Sequence, residues 1–364
     1  MAGELENLRK QINELDNELL ELLQKRAEVA LAIGQTKRVV GMEVCDPARE
    51  REVMRRLKSS IHGPLVPDSI EHIFREIISA CRGLQANVRV AFLGPEATFS
   101  HLAAMRRFGE CACFVPSESI EDVFRKVESG NVEFGVVPVE NSTNGTVGET
   151  FDAFLHSPLQ ICGEMCLRIS NSLLSKAASL GDIRRVYSHP QPIAQCRNWL
   201  TKYLPNAVCV ALESTAKAGE RAAAEPDAAA IGGELVREKY GLTALASDIQ
   251  DRSSNQTRFW VISRESCYPT GHDKTSLRFA ASHKPGSLFR CLGVFAENGV
   301  NITRIESRPS PSHVWEYVFF LDIEGHRSDE PVAKSLTTLS DMVGQIYVMG
   351  SYPTSEDFMA GEKR

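Results

Sequence analysis

The chain has 364 residues, too many for one ordinary hydrophobic core, so two or three domains are expected. Hydrophobic content of 43% and charged content of 24% are those of a soluble globular protein, and a net charge of -6 argues against nucleic acid as the main partner, because phosphate binding needs a basic face. No apolar run reaches the roughly 18 residues of a membrane span, and the opening MAGELENLRK lacks the apolar core of a signal peptide, so a cytoplasmic protein is expected.

Residues 4–38 read as one long helix. Leu8, Ile12, Leu15, Leu19 and Leu22 alternate steps of four and three, a heptad seam that resumes at Val29 and Ile33. At 1.5 Å per residue such a helix runs about 50 Å, which one small domain cannot cover and which invites a partner chain. Asp46 before Pro47 is a capping acceptor before a proline at the first helical position, and starts a second helix to about Lys58. Pro67-Asp68 starts a third, with Ile70, Ile73, Phe74, Ile77, Ile78 and Cys81 on one stripe. Residues 1–86 therefore form an all-helical module.

The texture changes at Asn87. Val88–Leu93 is a strand ending in Gly94-Pro95, and further strands are expected near 113–115, 134–139, 159–169, 184–188, 207–212, 228–231, 242–247 and 258–263. Helical patterns lie between most of them, and alternation of this kind predicts parallel α/β sheets, arranged over residues 87–267 as two small lobes with a cleft between them. Ser266–Asp273 reads as a linker from its Pro, Gly and polar content. Beyond it, residues 274–352 read as strand 275–282, helix 288–298, strands 301–307 and 313–323, helix 330–341 and strand 344–350. That βαββαβ order is a ferredoxin-like unit.

Ten cysteines and nine histidines include no Cys-x-x-Cys pair and no His-x-x-x-His, and neither a Gly-x-Gly-x-x-Gly after a strand nor a P-loop lysine occurs. Reduced thiols, no metal and no cofactor are expected. In the helical module the seam breaks at Arg26, four residues after Leu22, and Lys37 lies three turns further on the same face. A cation buried there costs several kcal/mol unless an anion meets it. A salt bridge within or between helices, to Glu18, Glu50 or a neighbour, would answer as well as a ligand. Arg9 lies about 100° round the helix from Arg26, so it cannot share Arg26's pocket on its own helix and is free to point into a partner's. Asp46 and Glu50 are one turn apart on one face of the second helix, and Gln85 lies one turn beyond Cys81 on the third. An apolar core edged by Arg9, Arg26, Lys37, Glu50 and Gln85 suits a small dianion carrying a hydroxyl and an ether.

This combination, with Leu8-Arg9-Lys10-Gln11-Ile12, Asp16, Leu19 and Asp46, resembles the all-helical chorismate mutase family over nearly the whole module. The resemblance implies an intertwined dimer or higher homo-oligomer. Arg26 and a partner chain's Arg9 would hold the substrate carboxylates, Lys37 and Gln85 would donate to the ether oxygen, and Glu50 with Asp46 near it would take the ring hydroxyl. Cys81 stands where some relatives carry serine. A pericyclic rearrangement needs no nucleophile, only a folded substrate and stabilisation of the charge that builds on the breaking ether bond.

In the middle module five polar loops fall at strand ends, where ligands of open α/β sheets bind. They are Gly94–Ser100, Glu140–Gly145, Ser188-His189-Pro190-Gln191 with Gln195 one turn on, Glu213-Ser214-Thr215, and Asn255-Gln256-Thr257-Arg258-Phe259. Any one of them is an ordinary helix cap; together they line a cleft suited to a small polyanion. They resemble prephenate dehydratase, whose fold is two-lobed like a periplasmic ligand-binding protein. The resemblance implies Thr257 at the leaving hydroxyl, Arg258 near a carboxylate beside Phe259, and Asn141, Ser188, Gln195, Glu213 and Thr98 lining the pocket.

In the last module Gly286-Ser287-Leu288 and Glu306-Ser307-Arg308-Pro309 resemble the phenylalanine-binding ACT regulatory domain, which usually has alanine where Ser287 stands. The resemblance implies an effector site there, with Asn301 and Gly286 as helpers at an interface. The order mutase, dehydratase, sensor is that of the bifunctional family, with chorismate and prephenate as substrates and phenylalanine as effector. A two-lobed receptor, a mutase joined to a dehydrogenase and a DNA-binding regulator fit less well. The receptor has no use for the Thr257-Arg258-Phe259 loop, the dehydrogenase lacks its fingerprint, and the regulator lacks helix-turn-helix spacing.

Overall fold

A computed structural model describes residues 2–40, 47–252, 254–282, 284–310, 317–343 and 346–355. They form two compact units, one reaching to Val88 and including Phe108–Cys113, the other holding the rest.

The first unit is helical throughout: α1 (Ala2–Val40), α2 (Pro47–Ser59) and α3 (Pro67–Gln85). Pro67 at the first turn supplies a preset φ where no N–H is needed. Both α1 and α2 pack on α3, and on α1 it is Ala30 and Gly34, near its C-terminal end, that are buried. The heptad seam is uncovered: Leu8, Ile12, Leu15, Leu19 and Leu22 are each more than half exposed in the single chain.

The second unit begins with a sheet in the order β2-β1-β3-β11-β5, built from β1 (Arg89–Leu93), β2 (Cys113–Ser117), β3 (Phe134–Asn141), β5 (Gln160–Arg168) and β11 (Gln256–Ser263), with a two-residue β4 (Gly145–Thr146) on β3. The next sheet has the order β10-β6-β9-β7-β8, from β6 (Ser172–Ser175), β7 (Arg185–Ser188), β8 (Val208–Ala211), β9 (Ala228–Gly232) and β10 (Thr243–Ala246). Both sheets are mixed, where strand–helix alternation predicts parallel ones. β1–β3, β7–β8 and β7–β9 are parallel, but β11 runs antiparallel to β3 and β5, and β6 antiparallel to β9 and β10. The reason lies in the path of the chain. It leaves the first lobe after β5, builds the second, and returns in the opposite direction to insert β11 between β3 and β5. The two crossing segments pair with each other, Ile169 N–H donating to Asn255 O at 2.9 Å and Ile249 N–H to Asn171 O at 2.9 Å.

The remaining strands are β12 (Asp273–Ala280), β13 (Ile302–Pro309), β14 (Tyr317–Glu324) and β15 (Ile346–Pro353), in the order β13-β14-β12-β15, with helices α4 (Ser287–Glu297) and α5 (Glu330–Val343). Leu277, Phe279, Phe295, Leu321 and Leu339 fill the core they share. Val318, Phe320, Met349 and Tyr352 join a different core, that of the first lobe, with Phe151, Phe154 and Trp260. Phe320 meets Phe151 edge to face with centroids 5.1 Å apart. β15 lies so close to β5 that a Cβ on Gly350 would stand 2.2 Å from the Ile161 carbonyl oxygen. None of the described helices is long and apolar enough to cross a membrane.

Candidate active sites

In the helical unit Arg26 and Lys37 are half-buried on α1 while Arg9 is exposed. Gln85 packs against α1 at Gly34, one turn before Lys37, and a Cβ on that glycine would stand 2.8 Å from Gln85 Cγ. The Arg38 guanidinium donates to the Gln85 carbonyl oxygen, which fixes the end of α3. Gln85 thus lies against α1 within one turn of Lys37. The Glu50 carboxylate accepts from Arg82 Nη1 at 2.6 Å, and Cys81 is buried beside Arg82. Arg82 is a residue the sequence pattern does not single out. It reads as part of the polar face of α3, yet it is buried, holds Glu50, and stacks over Phe108 at 5.5 Å. Asp46 lies outside the described residues.

In the two lobes three of the polar loops meet in an array of amides across the crossing segments. Asn141 Nδ2, at the end of β3, donates to Thr257 Oγ1 at 2.9 Å and to Asn255 Oδ1 at 2.9 Å. Its own Oδ1 accepts from the N–H groups of Thr143 and Asn144, which locks the loop. Asn255 Nδ2 donates to Gln195 Oε1 at 3.0 Å, and Asn171 Nδ2 reaches the same oxygen at 3.5 Å. Gln195 Nε2 and Asn171 Oδ1 have no hydrogen-bond partner among the described residues although both atoms are buried. Nearly all buried polar atoms in folded proteins are paired, so this donor and acceptor are exceptions at the centre of the array. Thr257, Asn141 and Gln195 are therefore joined, through Asn255 and beside Asn171. Sequence reasoning places Asn255 in a loop without giving it a role, and passes over Asn171, whose only signal is a polar Ser-Asn-Ser break between two strands.

The other assigned residues sit differently. Thr98 Oγ1 donates to Leu93 O at 3.2 Å and accepts from His101 N–H, the work of a helix cap; with Phe99 and Leu102 it lines a narrow cleft facing Gly233, Glu234 and Leu235. Ser188 is buried and donates to Ile231 O at 2.8 Å. Glu213 projects into solvent and pairs with Lys217 at 2.8 Å; the lysine holds its carboxyl below the ordinary glutamate range. Phe259 is buried in the sheet, between Pro138 of β3 and Met165 of β5.

Arg258 is the main correction to the resemblance. Strand alternation sends its side chain to the face opposite Thr257, where it is buried among charges instead of facing a substrate carboxylate. Its Nε donates to Glu164 at 2.8 Å, Nη1 to Asp322 at 2.7 Å and Nη2 to the Tyr352 hydroxyl at 3.2 Å. Lys274 meets the other oxygen of Glu164 at 3.0 Å, and Ser276 Oγ meets Asp322 at 2.6 Å. Burial opposes ionisation of Asp322, but Arg258, the Ser276 hydroxyl, Arg304 and Lys274 hold its carboxyl below the ordinary range. Burial and then the Asp322 charge push the Tyr352 phenol up, so it stays neutral.

In the βαββαβ unit Gly286 caps α4 with φ +75°, a left-handed conformation that favours glycine. Ser287 Oγ lies 2.9 Å from Ser282 Oγ. Ala280 and Arg308 both register with Val318, so the Gly286–Leu288 and Glu306–Pro309 segments share one end of the sheet. Asn301 is at the other end, donating to Glu324. The charged side chains of β13 engage the first lobe: Arg308 pairs with both oxygens of Asp152, and Glu306 accepts from Thr146 Oγ1 at 2.8 Å.

Three family models match consecutive parts of the chain: chorismate mutase type II over residues 8–86, prephenate dehydratase over 90–267 and the ACT domain over 275–341. A bifunctional chorismate mutase/prephenate dehydratase of Aquifex aeolicus is 45% identical over 96% of this chain and 98% of its own length. One of Stutzerimonas stutzeri is 42% identical over 97% and 98%. Among solved structures, the prephenate dehydratase of Arthrobacter aurescens in complex with L-Phe matches with a TM-score of 0.67 and 36% identity, over 73% of this chain and 90% of that one. With relatives this similar along nearly their full length, the chain belongs to the bifunctional chorismate mutase/prephenate dehydratase family.

Proposed function

We propose that the helical unit rearranges chorismate to prephenate and that the amide array converts prephenate to phenylpyruvate, with phenylalanine acting through the ACT unit. The observation that carries the second step is the bond from Asn141 Nδ2 to Thr257 Oγ1 at 2.9 Å. A threonine oxygen that accepts from an amide keeps its proton to donate elsewhere. That proton is aimed at the ring hydroxyl of prephenate. As carbon dioxide leaves, the electrons of the broken C–C bond aromatise the ring and expel this hydroxyl, which Thr257 holds by its hydrogen bond while the oxygen takes a proton from solvent and departs as water. Gln195 and Asn171, joined to Thr257 through Asn255 and Asn141, hold the rest of the substrate.

For the first step, Lys37 and Gln85 serve the ether oxygen and Arg26 a carboxylate. A second copy of the chain covers the exposed seam of α1 and brings its own Arg9, because an uncovered apolar stripe of this length marks an association surface. Effector binding is placed at Gly286, Ser287 and Leu288 with the neighbouring Glu306–Pro309 strand and, across an interface, Asn301. The enzyme is placed in the cytoplasm.

The test is product analysis of purified protein supplied with chorismate, with and without phenylalanine. Phenylpyruvate formation that phenylalanine suppresses supports the whole reading. Unconsumed chorismate refutes the mutase assignment, and accumulating prephenate refutes the dehydratase assignment. A sharper prediction concerns Gly34. Gly34→Ala puts a methyl 2.8 Å from Gln85 Cγ and forces that side chain aside. Chorismate turnover is expected to fall about tenfold or more, as misplacement of a substrate-positioning group does, with phenylpyruvate formation from added prephenate unchanged. Unaltered mutase kinetics would remove Gln85 from the site.

A further inference from the structure

The loop Gly94–Thr98 leaves β1 and enters the helix Phe99–Phe108, bringing Thr98 to the narrow cleft against Gly233, Glu234 and Leu235. Its turn is made at Ala97, which is buried and has φ +65°. Among the described residues only Ala97 and Asp248 adopt a positive φ without being glycine. A Cβ makes that left-handed conformation unfavourable, so an alanine there must be held by its surroundings. The hold comes from His101, in the first turn of the helix: the Ala97 N–H donates to His101 Nδ1 at 3.1 Å. The His101 backbone N–H donates to Thr98 Oγ1 at 3.3 Å, and Thr98 Oγ1 to Leu93 O at 3.2 Å.

The His101 ring is itself fixed. It stacks on the buried Phe92 of β1 with centroids 4.5 Å apart and meets Phe114 of β2 edge-on at 5.4 Å. A ring nitrogen that accepts from a backbone N–H carries no proton, so the ring is neutral with its proton on Nε2. The charged groups facing it are Glu96 of the loop and Lys239 of the second-lobe helix Glu234–Tyr240, which pair with each other at 2.7 Å. Burial lowers the His101 pKa, the Glu96 charge opposes that shift and Lys239 adds to it; the outcome lies below the ordinary histidine value.

We propose that neutral His101 is a positioning residue for the dehydratase reaction, holding Ala97 in its left-handed turn and so fixing Thr98 at the wall of the cleft. Protonation of Nδ1 would set one donor against another at the Ala97 N–H and free the turn. The neutral form is the one kept at neutral pH, so turnover is lost as pH falls through the lowered His101 pKa. The inference rests on the dehydratase reading of this cleft.

The test uses the full-length chain. Dehydratase kcat/KM for prephenate is measured from about pH 5 to 8, the window of histidine titration, over the uncatalysed background, with mutase kinetics and a thermal melt of each variant. The parent should show a one-proton loss of kcat/KM on the acid side. His101→Leu should lower kcat/KM at neutral pH about tenfold or more, with mutase activity unaltered. His101→Asn, whose Oδ1 can accept in place of Nδ1 but takes up no proton, should recover most of that loss and should lack the acid limb. Ala97→Gly, added to His101→Leu, should also recover most of it, because glycine keeps the left-handed turn without the histidine. The inference is overturned if the parent has no acid limb, if the limb persists in His101→Asn, or if Ala97→Gly does not raise the rate of His101→Leu. Where His101→Leu melts below the assay temperature, the pH profile of His101→Asn decides alone. A parent chain that makes no phenylpyruvate sinks the dehydratase reading itself, and this inference with it.

Discussion

Thr257→Val is expected to lower phenylpyruvate formation by about a hundred- to a thousandfold, the usual effect of deleting one preorganised donor at a developing charge. The side chains have nearly the same volume, so little packing changes. Asn141 Nδ2 loses one acceptor but keeps Asn255 Oδ1 at 2.9 Å and Gln256 O at 3.2 Å, so no amide hydrogen is left without a partner. The fold should therefore survive and the loss should appear in kcat. Prephenate accumulation with an unchanged rate of chorismate loss is the expected pattern when the variant is fed chorismate. A kcat within threefold of the parent's would mean that Thr257 only fills space.

Arg26→Ala should have the next largest effect, on the other reaction. Arg26 interrupts an otherwise apolar seam and is half-buried on α1. A guanidinium kept in such a place without a function would cost stability. If it holds a substrate carboxylate, its removal lowers mutase kcat/KM by about a hundredfold or more, since an unpaired buried carboxylate costs several kcal/mol. Arg26→Lys should recover a fraction, because an ammonium keeps the charge and loses the bidentate fork. The melting temperature should hold or rise in both variants. An alanine variant that unfolds but, where folded, retains mutase activity would make Arg26 a structural ion-pair residue. Dehydratase activity from added prephenate is the internal control.

Much of this was legible in the sequence. The heptad seam announced a helix longer than its domain, and α1 runs from Ala2 to Val40. The βαββαβ order of the last unit was readable because its apolar periods switch cleanly between helix and strand. The mixed sheets were not, because the direction of β11 depends on where the chain goes after β5, and no local pattern records that. β6 was missed because Leu173 and Leu174 are the only apolar residues in Ser172–Ser175. Thr257, Asn141 and Gln195 could be gathered from polar loops at strand ends. Arg258 could not be placed from its loop alone, since neighbouring residues on a strand face opposite ways. A signal was present nevertheless: Glu164 and Asp322 are single acids inside apolar strands, and such acids need a buried cation.

The insertion of β11 between β3 and β5 has a consequence for how the protein is made. Lobe one needs residues 256–263 to close its sheet, so on the ribosome it waits, with the inner edges of β3 and β5 unpaired, until all of lobe two has been synthesised. Lobe two has no such debt, because its five strands all lie between residues 172 and 246 and can pair as soon as they emerge. Lobe two should thus be the first of the pair to mature, and contacts of high sequence separation should make lobe one the slow step. A chain cut short between the lobes and β11 would carry open, largely apolar strand edges, and should be found in aggregates and not in the soluble fraction.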